Sequence, residues 1–421
     1  VGFLALDANT TADNNTAIGY ASLGANTTGT RNVSVGWQSS DANTTGNYNS
    51  VVGGNALGSN TTGSNNTANG YAALNANTTA DNNTAVGYAA LTANTTASNN
   101  TAVGYTAMYA NTTGHSNVAV GYQSLYNNTT GTSNVAIGWN AADANTTAYA
   151  ITAIGEHALG ANTTASNNTA CGREALKNST AGNQTAVGAS ALKSNTTGAT
   201  NTAVGESAGF SNQTGENNTF VGAGAGYLST GSKNVYIGRG TSTAAGSAMT
   251  SGANNIIIGA YSGNSGGLDI RTSNNQCIIS DGDGNVRIRM NGSELICPGV
   301  NTDTTSNSAN VAVLTSGSIR KSTSSLRYKN TVNDATHGLK ELLTLRPVTF
   351  KGNNDGDKIF GGLIAEEIHD AGLTEFVQYD DDDRPDSLAY GNMVSLCIKA
   401  IQEQQTTITA LEARIATLEA K

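Results

Sequence analysis

The 421-residue sequence contains little charge, few aromatic residues and almost no proline. Charged residues make up 12% of the chain and aromatic residues 5%, and only 3 prolines are present. A chain so poor in large apolar side chains cannot fill a thick globular core, and we expect no membrane insertion because no apolar run is long enough. The net charge is −9 and no Lys/Arg-rich run occurs, so we expect no nucleic-acid partner.

Cysteines are also scarce, and the four that occur match no metal or redox spacing. Cys277 and Cys297 would pair if they faced each other across a hairpin, but we favour small buried thiols for these two and for Cys171 and Cys397. We predict no cofactor and no metal site. The chain begins at Val1 without an initiator Met or a signal peptide, so we expect that something upstream is missing.

What the sequence does contain is a repeat of 17 residues. The glycine of the pattern Asn-Thr-Ala-Val-Gly-Tyr recurs at this spacing from Gly2 to Gly172, continues with steps of 16 or 17 to Gly238, and has a looser copy at Gly259. Such a repeat is too short for two packed helices and suits one coil of a β-solenoid or β-roll. At about 4.8 Å per coil, residues 1–260 are predicted to form a shaft roughly 70 Å long.

Each coil is predicted to contain a short strand, a small apolar pair and a polar corner. In one copy these are Thr84–Tyr88, the pair Ala90 and Leu91, and the corner 94–96 (Asn-Thr-Thr). Stacked Asn amides can hydrogen-bond along the stack, and Gly87 serves a bend or a close approach of backbones. The Asn-x-Thr triplets also match glycosylation sequons, and the ladders could bind ice or calcium, but we favour a structural role.

Residues 261–323 are predicted to form a β-hairpin and a connector. Gln276–Ser280 and Asn285–Arg289 flank an Asp-Gly turn, which favours a hairpin over an EF-hand calcium loop. The connector from about Gly299 is rich in Ser, Thr, Asn and Gly, with one short strand at Val311–Leu314.

From Ser324 onward the period disappears and Lys, Arg, Glu and Leu become frequent. We predict a helix capped at Asn333-Asp334 and running through Leu343. Strands are predicted at Arg346–Phe350 and Ile359–Ile364, and a long helix from about Tyr390 to the end. Residues 324–421 are therefore predicted to form a separate small α+β domain.

Four motifs in this domain resemble the endosialidase-type intramolecular chaperone found at the C-terminus of bacteriophage tail fibres and tailspikes. They are Ser324–Lys329, Leu342–Phe350, Gly362–Glu367, and Tyr390 with Lys399–Glu403. The shaft repeat is similar to the head repeats of trimeric autotransporter adhesins and, more closely, to arrays in phage and bacterial fibres.

The resemblance implies that the C-terminal domain directs trimer assembly and then cuts the chain beside its serine. Ser324 would be the nucleophile and Lys329 the general base, which agrees with the need of a serine hydroxyl for a base. Ser325 stands where the family usually has Asp. This single-turnover self-cleavage is the only enzymatic activity that we predict.

The last helix carries a heptad seam that favours a coiled coil. Its members are Val394, Cys397, Ile401, Gln404, Ile408, Leu411, Ile415 and Leu418. Ile at one seam position and Leu at the other favour a dimer by rule, whereas the resemblance implies a trimer, which we adopt. The alternative is an amphipathic helix folded onto its own domain.

The sequence therefore predicts a homotrimeric tail fibre or spike of a virion, with a structural and host-adhesion role. Its expected partners are further copies of itself, a host cell-surface receptor such as a glycan, and other virion or fibre proteins at the N-terminus. Alternatives are a bacterial extracellular or surface fibre with the same chaperone, and an ice- or ion-binding solenoid.

Overall fold

A computed structural model describes residues 1–239, 243–292, 294–297, 311–313, 319–321, 331–351, 357–380 and 382–420. The chain divides into two compact units, Val1–Thr304 and Thr305–Lys421. Each unit has its own cluster of buried apolar side chains. The fold is mainly β, as predicted, and its longest helix lies at the C-terminus.

The first unit is a β-solenoid in which each coil gives one three-residue strand to a parallel sheet. Neighbouring coils pair in register, so Thr84 lies beside Thr101 and Ala85 beside Ala102. The 17-residue coil is thus confirmed. The strands are β1 (Thr16–Ile18), β2 (Val33–Val35), β3 (Ser50–Val52), β4 (Thr67–Asn69), β5 (Thr84–Val86), β6 (Thr101–Val103), β7 (Val118–Val120), β8 (Val135–Ile137), β9 (Thr152–Ile154), β10 (Thr169–Cys171), β11 (Thr185–Val187), β12 (Thr202–Val204), β13 (Thr219–Val221), β14 (Val235–Ile237) and β15 (Ile256–Ile258).

The parallel stack ends in antiparallel strands. After a short hairpin of β16 (Asn264–Ser265) and β17 (Leu268–Asp269), strand β18 (Gln276–Ser280) pairs in parallel with β15. The chain then turns back through β19 (Val286–Asn291) and β20 (Glu294–Ile296). The predicted hairpin is confirmed, and its return strands cover an edge that would otherwise expose unpaired backbone groups.

The core of the solenoid is thin and built from small side chains. In the coil at Gly87, Ala85 points inward and is fully buried together with Ala90 and Leu91. Thr84 and Val86 point outward and are half-buried. This alternation is that of a strand with one face on the core, as the sequence predicted.

Asn94, the first residue of the predicted polar corner, lies inside the solenoid and is fully buried. Its Nδ2 donates to Oδ1 of Asn77 at 3.0 Å and to the carbonyl oxygen of Ala97 at 2.9 Å. Nine successive amide-to-amide bonds of this kind connect the coils from Asn9 to Asn162. The predicted Asn ladder is therefore confirmed, and its bonds offset the desolvation of the buried amides.

The recurring glycine meets both of the needs expected of it. Gly87 has a φ of +137°, and a Cβ built on it would lie 2.3 Å from the carbonyl oxygen of Gly104 in the next coil. A side chain here would collide with backbone, which cannot move aside as a flexible side chain can. The coil therefore requires glycine at this position.

The core changes its filling near the end of the shaft. In the coil of β11, the inward strand residue Ala186 is matched by a buried Leu192. In the coil of β13 the inward residue is Phe220, and Gly226 replaces the leucine. A large ring with a glycine takes the place of a small alanine with a leucine.

The second unit combines short strands with helices. Its strands are β21 (Val311–Val313), β22 (Ile319–Lys321), β23 (Val348–Phe350), β24 (Phe360–Gly362), β25 (Val377–Tyr379) and β26 (Pro385–Leu388), which form three antiparallel pairs. Its helices are α1 (Leu339–Leu342), α2 (Ala365–Asp370), a 3-10 turn (Thr374–Phe376) and α3 (Tyr390–Glu419). Their buried core contains Ile368, Leu373, Phe376, Val377, Met393 and Leu396.

Helix α1 begins later than predicted. The cap expected at Asn333-Asp334 is wrong, because the helix starts at Leu339. Its first N–H groups are satisfied by carboxylates: Gly338 N–H donates to Glu341 Oε2 at 3.0 Å and Leu339 N–H to Glu403 Oε2 at 2.8 Å. Glu403 lies far along the chain, so a tertiary contact sets this boundary.

Candidate functional site

The predicted catalytic residues Ser324 and Lys329 lie outside the described residues, as does Ser325. The other three motifs of the chaperone resemblance fall on described residues of the second unit, where their contacts can be followed.

Tyr390 joins two of these motifs. Its hydroxyl accepts a hydrogen bond from the N–H of Leu363 at 2.7 Å and donates to the carbonyl oxygen of Leu363 at 3.3 Å. The first residue of α3 is thereby bonded to the Gly362–Glu367 turn that leads into α2.

An ion pair joins the third motif to the same turn. The guanidinium of Arg346, just before β23, pairs with the carboxylate of Glu367 on α2. Their hydrogen bond lowers the pKa of Glu367 and raises that of Arg346. The three described motifs thus meet around the start of α2. No single motif in the sequence predicts this meeting.

Helix α3 uses one face for its own unit and leaves the predicted heptad seam open. Met393, Leu396 and Ala400 are buried in the core of the second unit. The seam residues lie on a different face and remain exposed: Val394 by 55%, Ile401 by 63%, Ile408 by 40%, Leu411 by 54%, Ile415 by 54% and Leu418 by 64%. From Gln404 to Ala420 every side chain of the helix is exposed.

The outward face of the shaft sheet is free of charge. Across β1 to β15 the two outward residues of each strand are Thr, Ser, Val, Ile, Asn or Cys. Several of them are well exposed, such as Ile18 at 47% and Ile258 at 43%. The face is therefore an uncharged, weakly polar surface along the shaft.

An aromatic column runs beside this face, on the residue that follows the recurring glycine. It contains Phe3, Tyr20, Trp37, Tyr71, Tyr88, Tyr105, Tyr122 and Trp139. Tyr88 and Tyr105 stack with their ring centroids 5.2 Å apart and planes 11° from parallel. From Tyr71 to Tyr122 the ring faces cover one another, so this part of the column presents mainly ring edges to solvent.

A cluster of charged side chains lies in the later coils. Glu174 lies 2.8 Å from Nζ of Lys177 and 2.7 Å from Nζ of Lys193, and its side chain is only 12% exposed. Hydrogen bonds from the two lysines lower the pKa of Glu174 to about 2. The lysines come from two successive coils, so the cluster connects them.

The cysteines form no disulfide. Cys171, Cys277 and Cys297 are half-buried and Cys397 is exposed, so the expectation that all four are buried was wrong. Within the described ranges, no three His, Cys, Asp or Glu side chains are grouped as metal ligands would be. None of the helices in the described part of the chain combines the length and apolarity that crossing a membrane requires.

Comparison with protein-family models, with curated proteins and with solved structures returned no match to this chain. The resemblance of residues 324–421 to the phage chaperones thus depends on the sequence motifs.

Proposed function

We propose that the protein is a homotrimeric fibre or spike of a virion, with a structural and host-adhesion role, whose C-terminal unit directs assembly. The observation that carries the proposal is the exposed seam of α3. Ile401, Ile408 and Ile415 recur every seven residues on a face that the core of the same unit does not use. Such a stripe is stabilised when equivalent helices bury it against one another.

The charges beside the seam favour parallel copies in register. With Ile408 and Ile415 at heptad position a, Arg414 falls at position g and Glu419 at position e. In a parallel coiled coil a g residue meets the e residue of the next heptad across the interface, so Arg414 meets Glu419 of the partner subunit. The sequence thus places opposite charges together in the parallel arrangement.

A parallel clamp addresses a difficulty that the shaft creates. Its coils are nearly identical, so chains that associate along their uncharged sheet faces could do so in several registers, and non-local pairing is slow. Helices that join first in one register would align three shafts. Cleavage beside Ser324, with Lys329 as base, would then remove the clamp and make unfolding hard to reverse.

The proposal is tested by measuring the mass of the assembled protein by light scattering. The Ser324→Ala variant serves as the parent so that the clamp stays attached, and we expect three times the chain mass of 42.6 kDa. Adding Ile408→Asp and Ile415→Asp should return the mass to that of one chain. The control is Thr406→Asp with Ala413→Asp, which places the same charges on the opposite face of the helix.

A parent with the mass of one chain, or a trimer that survives the two seam substitutions, would refute the clamp. Charge reversal tests its direction: Arg414→Glu should weaken assembly and the added Glu419→Arg should restore it. Restoration fails if the helices run antiparallel. Neighbouring genes for tail proteins, in place of secretion proteins, would support the assignment to a virion.

A further inference from the structure

A cavity of about 520 Å³ opens on the side of the shaft beside Tyr227. Three successive coils line it, with Glu206 on the first, Ala223 and Tyr227 on the second, and Arg239 and Ala244 on the third. Its volume lies within the range of sites that bind small molecules.

Small residues create the hollow. Ala223 follows its recurring glycine, where earlier coils carry Tyr88 or Tyr105. It lies between Glu206 and Arg239, which hold the same position in the coils on either side. The next residue is Gly224, and a Cβ built on it would meet only the Cβ of Ala244, at 3.7 Å. The cavity therefore lies where a Tyr at position 223 would place its side chain.

The ring of Tyr227 ends a stack at the edge of this hollow. One of its faces stacks on Phe210, with centroids 5.0 Å apart and planes 7° from parallel. In the following coil Ser247 occupies the equivalent position, because Leu228 N–H donates to the Ser247 carbonyl as Ser211 N–H donates to that of Tyr227. No ring continues the stack, and Tyr227 remains 39% exposed.

These groups have the chemistry that a sugar ring requires. The face of an aromatic ring is electron-rich and attracts the weakly positive C–H groups on one side of a pyranose. The Glu206 carboxylate can accept hydrogen bonds from sugar hydroxyls, and the Arg239 guanidinium can donate to their oxygens. The Ser207 and Ser247 hydroxyls at the wall can do either.

We propose that this cavity binds one pyranose unit of a glycan. The proposal gives the adhesive role a defined site and ligand class, and it depends on the proposed function only for the biological source of the glycan. Glu206, Tyr227 and Arg239 line the cavity from three successive coils, so the site forms only when these coils stack.

The test is saturation-transfer difference NMR on the full chain, with the methyl glycosides of glucose, galactose, mannose and N-acetylglucosamine as probes. We expect saturation transfer to at least one of them at millimolar concentration. Two variants should reduce it by about tenfold or more. Tyr227→Ser introduces the residue that holds this position in the next coil, and Ala223→Tyr fills the hollow with the residue of earlier coils.

Tyr126→Ser is the matched control. Tyr126 holds the same position in its coil and ends the stack that begins at Tyr109, with centroids 5.3 Å apart, but it does not line the cavity. Its replacement should leave saturation transfer unchanged, and circular dichroism should show that all variants keep the fold of the parent. Equal losses in Tyr126→Ser and Tyr227→Ser would overturn the proposal.

The remaining outcomes also separate the alternatives. Absence of saturation transfer to all four glycosides would overturn the site, as would binding of N-acetyltyrosinamide in their place, since the hollow would then be a peptide site. If the chain is monomeric and binds a glycoside, the glycan site is supported and the trimeric fibre is refuted. If it is trimeric and binds no glycoside, the fibre is supported and the glycan site is refuted.

Discussion

The ring of Phe220 occupies the space that a side chain on Gly226 would need. A Cβ built on Gly226 would lie 2.5 Å from Cδ1 of Phe220. In the coil of β11, Ala186 and Leu192 hold the same two positions and are both fully buried. In one coil the large side chain is on the strand, and in the other it is on the turn that follows. Both arrangements fill the core, as close-packed interiors require.

This complementarity predicts a rescue. Phe220→Ala should destabilise the shaft by about 3–5 kcal/mol because it leaves a cavity. Gly226→Leu alone should also destabilise it, because the new side chain collides with the ring. The double variant recreates the pairing of Ala186 with Leu192 and should recover part of the loss. Thermal unfolding followed by circular dichroism measures all four proteins, and simple additivity of the two losses would contradict the pairing.

Of two adjacent glycines, only Gly53 should be sensitive to replacement by alanine. Gly53 has a φ of +143°, and its Cβ would lie 2.3 Å from the carbonyl oxygen of Gly70. Gly53→Ala should cost about 3 kcal/mol or more through backbone strain and overpacking. The neighbouring Gly54→Ala is the control, because its Cβ would make ordinary van der Waals contacts, 3.4 Å to the Tyr71 ring and 3.9 Å to the carbonyl oxygen of Trp37. Similar unfolding temperatures for the two variants would show that the coil does not require glycine.

Glu174 predicts a pH dependence of stability. Its pKa is lowered from 4.5 to about 2 in the folded protein by hydrogen bonds from Lys177 and Lys193. A lowered pKa means that the stabilisation is fully present above about pH 4.5 and is lost as the pH falls towards 2. Wild type should therefore exceed Glu174→Gln in stability at pH 7, and the difference should disappear by about pH 2. A constant difference across this range would rule out the ion cluster as its cause.

Self-cleavage remains a prediction that the intact mass can decide. If Lys329 activates the Ser324 hydroxyl, wild type should separate under denaturing conditions into a shaft fragment and a C-terminal fragment that begins beside Ser324. Ser324→Ala should stay whole. Lys329→Met should also stay whole, because it removes the amine but keeps an unbranched side chain of similar length. If wild type is also whole, the C-terminal unit acts at most as an uncut clamp, and Ser325→Asp becomes the variant to examine.

The sequence predicted the shaft well because its signal recurs in every coil. Period, strand, apolar pair and Asn ladder all followed from repetition. The burial of Asn94 did not, since an Asn is usually exposed unless its amide is fully bonded, and the bond to the Ala97 carbonyl is visible only in three dimensions. Nor could residue types reveal that Ala89 and Leu91 have φ values of 50° and 55°, because such residues rarely adopt them.

The candidate sites were less predictable, for different reasons. The cavity beside Tyr227 arises where the small residues Ala223 and Ser247 hold positions that carry aromatic rings in other coils, a signal that appears once the coils are aligned by their glycines. The start of α1 depends on Glu403, which no local pattern connects to Leu339. The heptad of α3 could be predicted because its pattern lies within one helix. Its residues are exposed because α3 packs on its own unit through another face, which contains Met393, Leu396 and Ala400.

The buried amides give the shaft an electrical direction. In each of the nine bonds between Asn9 and Asn162, Nδ2 of the later Asn donates to Oδ1 of the Asn one coil nearer the N-terminus. The amide dipoles therefore add along the axis instead of cancelling, and bonds in such a chain polarise one another. The direction of this row therefore gives each coil an Oδ1 acceptor for the Asn of the coil that follows it in sequence, as Asn128 does for Asn145.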